Sequence, residues 1–330
     1  MLSKLLKNSI KFSAIVALTV YSIDFIVTKG LRKSNSIHYD NFSKIFSGSM
    51  NADLLINGSS KGYVQFSPKI LDSLLRTNSY NISLDGNNFL TQNTLITKYL
   101  QYNTTPQTIV QVVSTNTLKG FTDEIFLYEK FLPYFEDAEI RNMLNSSGKN
   151  ISQIVNYLPF TKYNGKPLAL LEGFLSFFNV HLIKSPLYKG YREDDFNWTD
   201  ENYAKFIELN TKLNYPDEFK FDDELLDLFE EFIVMCNTHN INLILVYPPL
   251  YHLAINNGVQ EYTNLAKKHN IRFMDFSHDP EISFNKNYFY DSQHMNKLGA
   301  EVFTVKLSKL ILEGQHFIRN WSNCDKTLTD

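Results

Sequence analysis

The stretch Ala52-Asp-Leu-Leu-Ile-Asn-Gly-Ser-Ser-Lys-Gly62 restricts the fold of this chain more than any other. An apolar run at residues 54–56 stops at Asn57-Gly58-Ser59-Ser60. Apolar residues at helical spacing follow at once: Val64, Ile70, Leu71, Leu74 and Leu75. That order predicts a strand, a tight turn and a helix. Glycine lets the backbone turn sharply, and a serine at the end of a parallel strand projects into the crevice where open α/β sheets bind ligands. Amides of the following helix stabilise negative charge there. Most Gly-Ser-Ser turns are only turns. A serine hydroxyl is a poor nucleophile unless a base takes its proton, so the reading requires a histidine elsewhere. Asp291-Ser-Gln-His294 supplies one, although Asp-x-x-His alone is often just a helix cap.

The rest of the chain places these two stretches on one edge. Residues 53–56, 80–84, 108–113, 241–247 and 271–276 read as strands, with 108–113 (Thr-Ile-Val-Gln-Val-Val) the clearest β-branched run. Helical spacing covers residues 89–100, 222–239, 258–269 and 296–312. Strands alternating with helices predict a mainly parallel, three-layer α/β sandwich with a flavodoxin-like sheet. The alternation fails between residues 120 and 220. That segment has helical patches at 124–135 and 168–180, scattered prolines and the aromatic stretch Tyr188-Lys-Gly-Tyr-Arg192. It reads as a partly helical insertion in a domain of residues 51–330.

Residues 1–33 differ from the rest. Lys4, Lys7 and Lys11 precede an apolar run at 12–28, near the lower length limit for a spanning helix. Asp24 interrupts the run towards one end, where it can reach the interface. This reads as an uncleaved N-terminal membrane anchor, followed by a polar, turn-rich linker at 34–50 with a short amphipathic piece. Lys29, Arg32 and Lys33 balance the lysines on the other side, so charge counting gives no orientation. A formal charge of -3 and no basic cluster beyond the N-terminus argue against nucleic-acid binding. Two cysteines give neither a disulfide framework nor a metal motif. Asn57, Asn81, Asn103, Asn145 and Asn150 begin glycosylation sequons, but a glycan on Asn57 would block the proposed nucleophile. A bacterial envelope location fits better, with the globular part outside the cytoplasm.

In a parallel sheet the loops after the strands share an edge, so Ser60, Gly86, Asn116 and the Asp291/His294 loop should converge. Ser60 then attacks an acyl carbonyl, His294 takes and returns its proton, and Asp291 orients the imidazole. The Ser60 amide, the Gly86 amide and the Asn116 side chain are the candidate oxyanion donors. With Gly58-Ser59-Ser60, Gly86, Asn116 and Asp291-x-x-His294 followed by Asn296 and Gly299-Ala300, the chain resembles the SGNH/GDSL hydrolase superfamily. Within it, the chain looks like the membrane-anchored branch of DltD-like and alginate-acetylation-like envelope proteins. Ser114-Thr-Asn116 replaces the family's Gly-x-Asn, and Ser59 replaces its usual aspartate. The resemblance implies acyl-ester chemistry, either O-acyl transfer or ester hydrolysis, without a cofactor. It implies an acyl donor, a cell-surface polysaccharide or related glycan as acceptor, and a membrane-bound O-acyltransferase as partner.

Other residues have a second reading. Tyr188, Tyr191 and Trp198 are types that stack on sugar rings and Arg192 is one that meets an anion, although any single aromatic is more often packing. His252, after Pro248-Pro249, either borders the cleft or lies in an exposed loop. The remaining histidines have no partner at ligand spacing, so no metal site is expected. Ser59 is the competing nucleophile, though its place inside the turn suits a local hydrogen bond. The alternative to an enzyme is a catalytically silent scaffold of this fold that binds glycan or assembly partners; the complete Ser/His/Asp set favours the enzyme.

Overall fold

The central strands are near-continuous apolar runs covered on both faces, as inner parallel strands are, while the edge strands are short and less apolar. In a computed structural model, which describes residues 2–120, 127–148, 151–182, 184–210, 220–254 and 257–324, the strands are β1 (Leu54–Asn57), β2 (Ser79–Asn81), β3 (Thr108–Val112), β4 (Asn242–Tyr247) and β5 (Arg272–Asp275). All pair in parallel in the order β2-β1-β3-β4-β5, with helices around the sheet. β1 sits between β2 and β3, with Leu55 opposite Tyr80 on one side and Ile109 on the other. Alternate residues Leu54, Ile56, Val110, Val112, Ile244 and Val246 share a core with Leu71 and with Phe303, Leu307 and Ile311 of the closing helix, Lys297–Cys324.

The chain divides into two compact units. Met50–Gly120 and Leu187–Asp330 form the sheet unit, and Met1–Ser49 with Phe121–Pro186 form a helical unit. This corrects the expectation of one insertion at 120–220. Residues 187–198 belong to the sheet unit, where the Asn81 amide of the edge strand β2 donates to the Lys189 carbonyl. Residues 127–186, by contrast, contribute Leu132 and Tyr163 to a core shared with Val27, Leu31 and Tyr39. Residues 124–126 of one expected helical patch lie outside the described residues; within the rest of it, Tyr128–Tyr134 form a 3-10 helix.

Residues 34–50 hold the helix Asp40–Phe46, whose Phe42 meets Phe131 edge-on at 4.9 Å and whose Phe46 stacks on Tyr134 at 3.8 Å. The N-terminal helix, Leu2–Leu31, is long and apolar enough to cross a membrane. It approaches the helix Pro167–Phe177 so closely that a Cβ on Gly30 would lie 1.6 Å from the Gly173 carbonyl oxygen.

The helix after Ser60 is broken in two, Ser60–Gln65 and Pro68–Leu75. Pro68 disfavours helical backbone at the residue before it, and Phe66 and Ser67 are extended. The apolar spacing had suggested an unbroken helix because its phase carries across the break.

Candidate active site

Gly58 must be glycine for a reason of space: a Cβ there would stand 2.7 Å from that of Val112 on β3. The chain therefore turns tightly off β1, and Ser60 becomes the first residue of its helix. Its N–H has no partner one turn earlier, as at any helix start. Ser59 is the N-cap and makes no side-chain capping bond, contrary to the local hydrogen bond expected of it.

The Asp291–His294 loop is closed by the Tyr290 amide donating to the His294 carbonyl at 3.1 Å and by an antiparallel bridge between Phe289 and Met295. Asn296 caps the closing helix, accepting from the Gly299 amide at 3.0 Å. A Cβ on Gly299 would sit 2.2 Å from the Tyr288 carbonyl oxygen, so glycine lets the loop pack onto that helix.

These two pieces meet. His294 Nε2 lies 2.7 Å from Ser60 Oγ, and His294 Nδ1 lies 3.0 and 2.9 Å from the two carboxylate oxygens of Asp291. A carboxylate accepts from Nδ1–H, which leaves Nε2 unprotonated to accept the serine proton. The Gln293 and His294 amides also donate to Asp291 Oδ1, at 2.7 and 2.8 Å. Burial would raise the Asp291 carboxyl; the hydrogen bond and electrostatic attraction of His294 and those two amides outweigh it and hold it below the ordinary value. The Tyr290 ring lies parallel to the imidazole, with centroids 5.5 Å apart. Burial, then the negative charges of Asp194 and Asp291, push its hydroxyl up and keep it neutral.

Sequence reasoning missed the residues that hold this geometry. Lys61 Nζ donates to Gln293 Oε1 at 2.7 Å, and Gln65 Nε2 donates to the Gln293 carbonyl at 3.1 Å. Two side chains of the Ser60 helix thus grip the residue between Asp291 and His294. Burial lowers Lys61 to about 8, against the raising effect of Asp291. Beneath the site, carboxamides donate in one direction: Asn57 to Gln111, Gln111 to Gln92, Gln92 to Asn87, and Asn87 to the Leu84 carbonyl. The chain joins the end of β1 to the loop that carries Gly86.

Gly86 stands exposed on that loop at φ 59°, a conformation that favours glycine. The Leu84 amide ties the loop to the Ser60 turn by donating to the Gly58 carbonyl at 3.1 Å. Asn116 is exposed on a turn after β3, closed by the Thr117 amide donating to Ser114. Both therefore lie on loops following the strands beside β1.

The expected ligand residues separate. Tyr191 and Trp198 are buried, and Trp198 is enclosed by Tyr203, Phe206 and Tyr251, so neither offers a ring face to a sugar. Arg192 is already paired, with both carboxylate oxygens of Asp194 and with Asp85, and lies over the Tyr63 ring. It is a strut rather than a free anion site. Its amide donates to the Tyr63 carbonyl, and the Asp194 carbonyl accepts from the Lys297 amide, so the strap joins the Ser60 helix to the closing helix. His252 is half-buried, stacked on Phe284 at 4.7 Å. Tyr188 is exposed, and so is Phe196, which sequence reasoning passed over and which meets Tyr290 edge-on at 6.1 Å. Among the described residues no group of three or more His, Cys, Asp or Glu side chains is placed to hold a metal ion.

Comparison of the chain with models of protein families, with curated proteins and with solved structures returned no match.

Proposed function

We propose that the protein is a serine-dependent acyl-ester enzyme of SGNH type, working through a Ser60 acyl-enzyme on a cell-envelope glycan. The observation that carries this reading is the continuous line Ser60 Oγ, His294 Nε2, His294 Nδ1, Asp291, with hydrogen-bonding distances at each step. The finer fold assignment, a three-layer sandwich with a flavodoxin-like sheet, belongs to the same proposal; the order β2-β1-β3-β4-β5 supports it. So does the reading of the Leu2–Leu31 helix as an anchor, with the sheet unit outside the cytoplasm of a bacterial envelope.

In this mechanism Ser60 Oγ bonds to the acyl carbon while its proton passes to His294 Nε2. The carbonyl oxygen becomes an oxyanion, for which the Ser60 and Gly86 amides and Asn116 are the donors. As the carbon–oxygen bond to the leaving alcohol breaks, His294 returns the proton to that oxygen. A second hydroxyl, from water or from a glycan, gives its proton to His294 and takes the acyl group, restoring Ser60. Asp291 stays ionised throughout and stabilises the imidazolium. With Tyr191 and Trp198 buried, exposed Tyr188 remains and Phe196 joins it as an aromatic surface for a ring-bearing acceptor.

The test is a panel of acetylated and unacetylated envelope glycans, read by mass spectrometry. Wild-type protein should remove an acetyl group from one glycan or move it to another, and Phe196→Ala should weaken the glycan reaction while leaving hydrolysis of p-nitrophenyl acetate unchanged. Folded wild-type protein that acts on neither class of ester would overturn the proposal.

A further inference from the structure

The helical unit presents apolar side chains on its surface, and their level along the N-terminal helix says what covers them. Tyr21 Oη donates to the Tyr157 carbonyl at 2.6 Å, Asp24 accepts from the Phe160 amide at 2.8 Å, and Thr28 Oγ1 lies 3.0 Å from Tyr163 Oη. Residues 157–163 therefore run beside the helix from Tyr21 to Thr28, about 10 Å of axis at 1.5 Å per residue. Lys4, Lys7 and Lys11 mark the other end. A hydrocarbon core of about 30 Å takes about 20 helical residues. Counted from Lys7 it ends near Val27, and from Lys11 near Leu31. Tyr21 and Asp24 fall inside the span on either count, and so do the groups bonded to them.

At this level the unit looks made for lipid. Tyr157 is 72 % exposed and Leu158 46 %, and the helix Pro167–Phe177 adds Leu168, Leu171 and Phe174, with Phe178 just beyond it. The opposite side of that helix is held against the N-terminal helix at Gly30 and Gly173, so these side chains face away from the unit. Asp24, the one acid of the apolar run, has its partners within the unit: the Phe160 amide and, at 3.9 Å, Lys162. The non-helical backbone here is satisfied too, the Tyr157 and Leu158 amides both donating to the Ile154 carbonyl, as membrane depth demands. Lys29 and Lys33 lie over the rings of Phe25 and Phe177, the posture of cations reaching from apolar surface towards headgroups.

We propose that residues 154–160 and the helix Pro167–Phe177 form a collar sunk into one leaflet, with acyl chains covering Tyr157, Leu158, Leu168, Leu171, Phe174 and Phe178. The proposal rests on the reading of Leu2–Leu31 as a membrane anchor. Lipid is the occupant because residues 157–160 lie level with the exposed apolar side chains of that helix, Tyr21 at 52 % and Phe25 at 57 %. The helix Pro167–Phe177, which meets it at residues 27–31, continues that face towards the end of the span, so whatever solvates the anchor reaches the collar as well.

The test places a fluorophore on single cysteines in the full chain, with Cys324→Ser removing one native thiol and Cys236 buried. Tyr157→Cys and Leu171→Cys report on the collar, Phe25→Cys on the anchor, and Val234→Cys on exposed protein surface. Each is reconstituted in phosphatidylcholine/phosphatidylglycerol vesicles containing a lipid with a nitroxide high on its acyl chain, and is read against aqueous iodide. The collar labels should be quenched by the lipid within about twofold of the Phe25 label, as an apolar face buried about 5–10 Å requires, and Val234 by iodide alone. Quenching of the collar labels by iodide only, with Phe25 still quenched by lipid, would overturn the collar and leave the anchor standing. Protection from both quenchers would overturn it in favour of a second copy covering the face. Loss of lipid quenching at Phe25 as well would remove the anchor on which it rests.

Discussion

In the sheet unit Asn57, Gln92 and Gln111 are fully buried, while in the helical unit Leu168 and Tyr157 stand in the open. Each inverts the usual placement, for a different reason. Buried carboxamides are tolerable when they donate to one another, as Asn57, Gln111 and Gln92 do in turn, although Asn57 Oδ1 itself is buried without a partner. Here they hold two loops of the candidate active site in register, while His294 stays partly open. Exposed leucines are tolerable when the surroundings are not water. On the proposed readings, the same chain combines a hydrogen-bonded polar interior in one unit with a lipid-covered apolar face in the other.

The largest effect should come from breaking the helical unit at its closest contact. Gly30→Leu puts side-chain atoms where the Gly173 carbonyl stands, a clash that costs about 3 kcal/mol or more. Limited proteolysis in vesicles should open residues 151–182 in the variant, while the serine of the sheet unit keeps its reactivity. Unchanged protease resistance would mean that the two helices do not meet there.

A smaller effect sharpens the other side of the comparison. Lys61 is held in the folded protein at about 8, below its ordinary 10.5. Between these values the unfolded chain binds the extra proton, so stability rises with pH across the window, and below it the buried charge is a standing cost. Lys61→Met removes that cost. Its stability relative to wild type should be about 2–3 kcal/mol more favourable at pH 7 than at pH 10, read from denaturant melts at both pH values. A pH-independent difference would show that Lys61 is not desolvated where it grips Gln293.

Much of the sheet unit was legible because its signals are local. The strands are short apolar runs bounded by turn residues, and the triad positions follow from which loops share an edge. Side-chain direction was not legible. Tyr191 and Trp198 have the same composition whether they face a cleft or a core, and only the packing of Tyr203, Phe206 and Tyr251 around Trp198 decides. Lys61 adjoins Ser60 in sequence, yet its partner Gln293 lies far along the chain. The carboxamide chain draws on residues from β1, β3 and the helix Phe89–Tyr102, and nothing in their spacing announces it. In the helical unit the partners of Asp24 come from residues 160 and 162, far along the chain, so in the sequence the acid looks merely costly.

The central claim is that Ser60 is an activated nucleophile, and labelling of the full chain by a fluorophosphonate probe tests it most directly. Wild-type protein should be labelled on Ser60; Ser60→Ala should abolish the label and Ser59→Ala should retain it. His294→Ala should slow labelling by about 10³-fold or more, since the general base is lost. Absence of labelling in folded wild-type protein, or labelling that survives Ser60→Ala, would contradict the account.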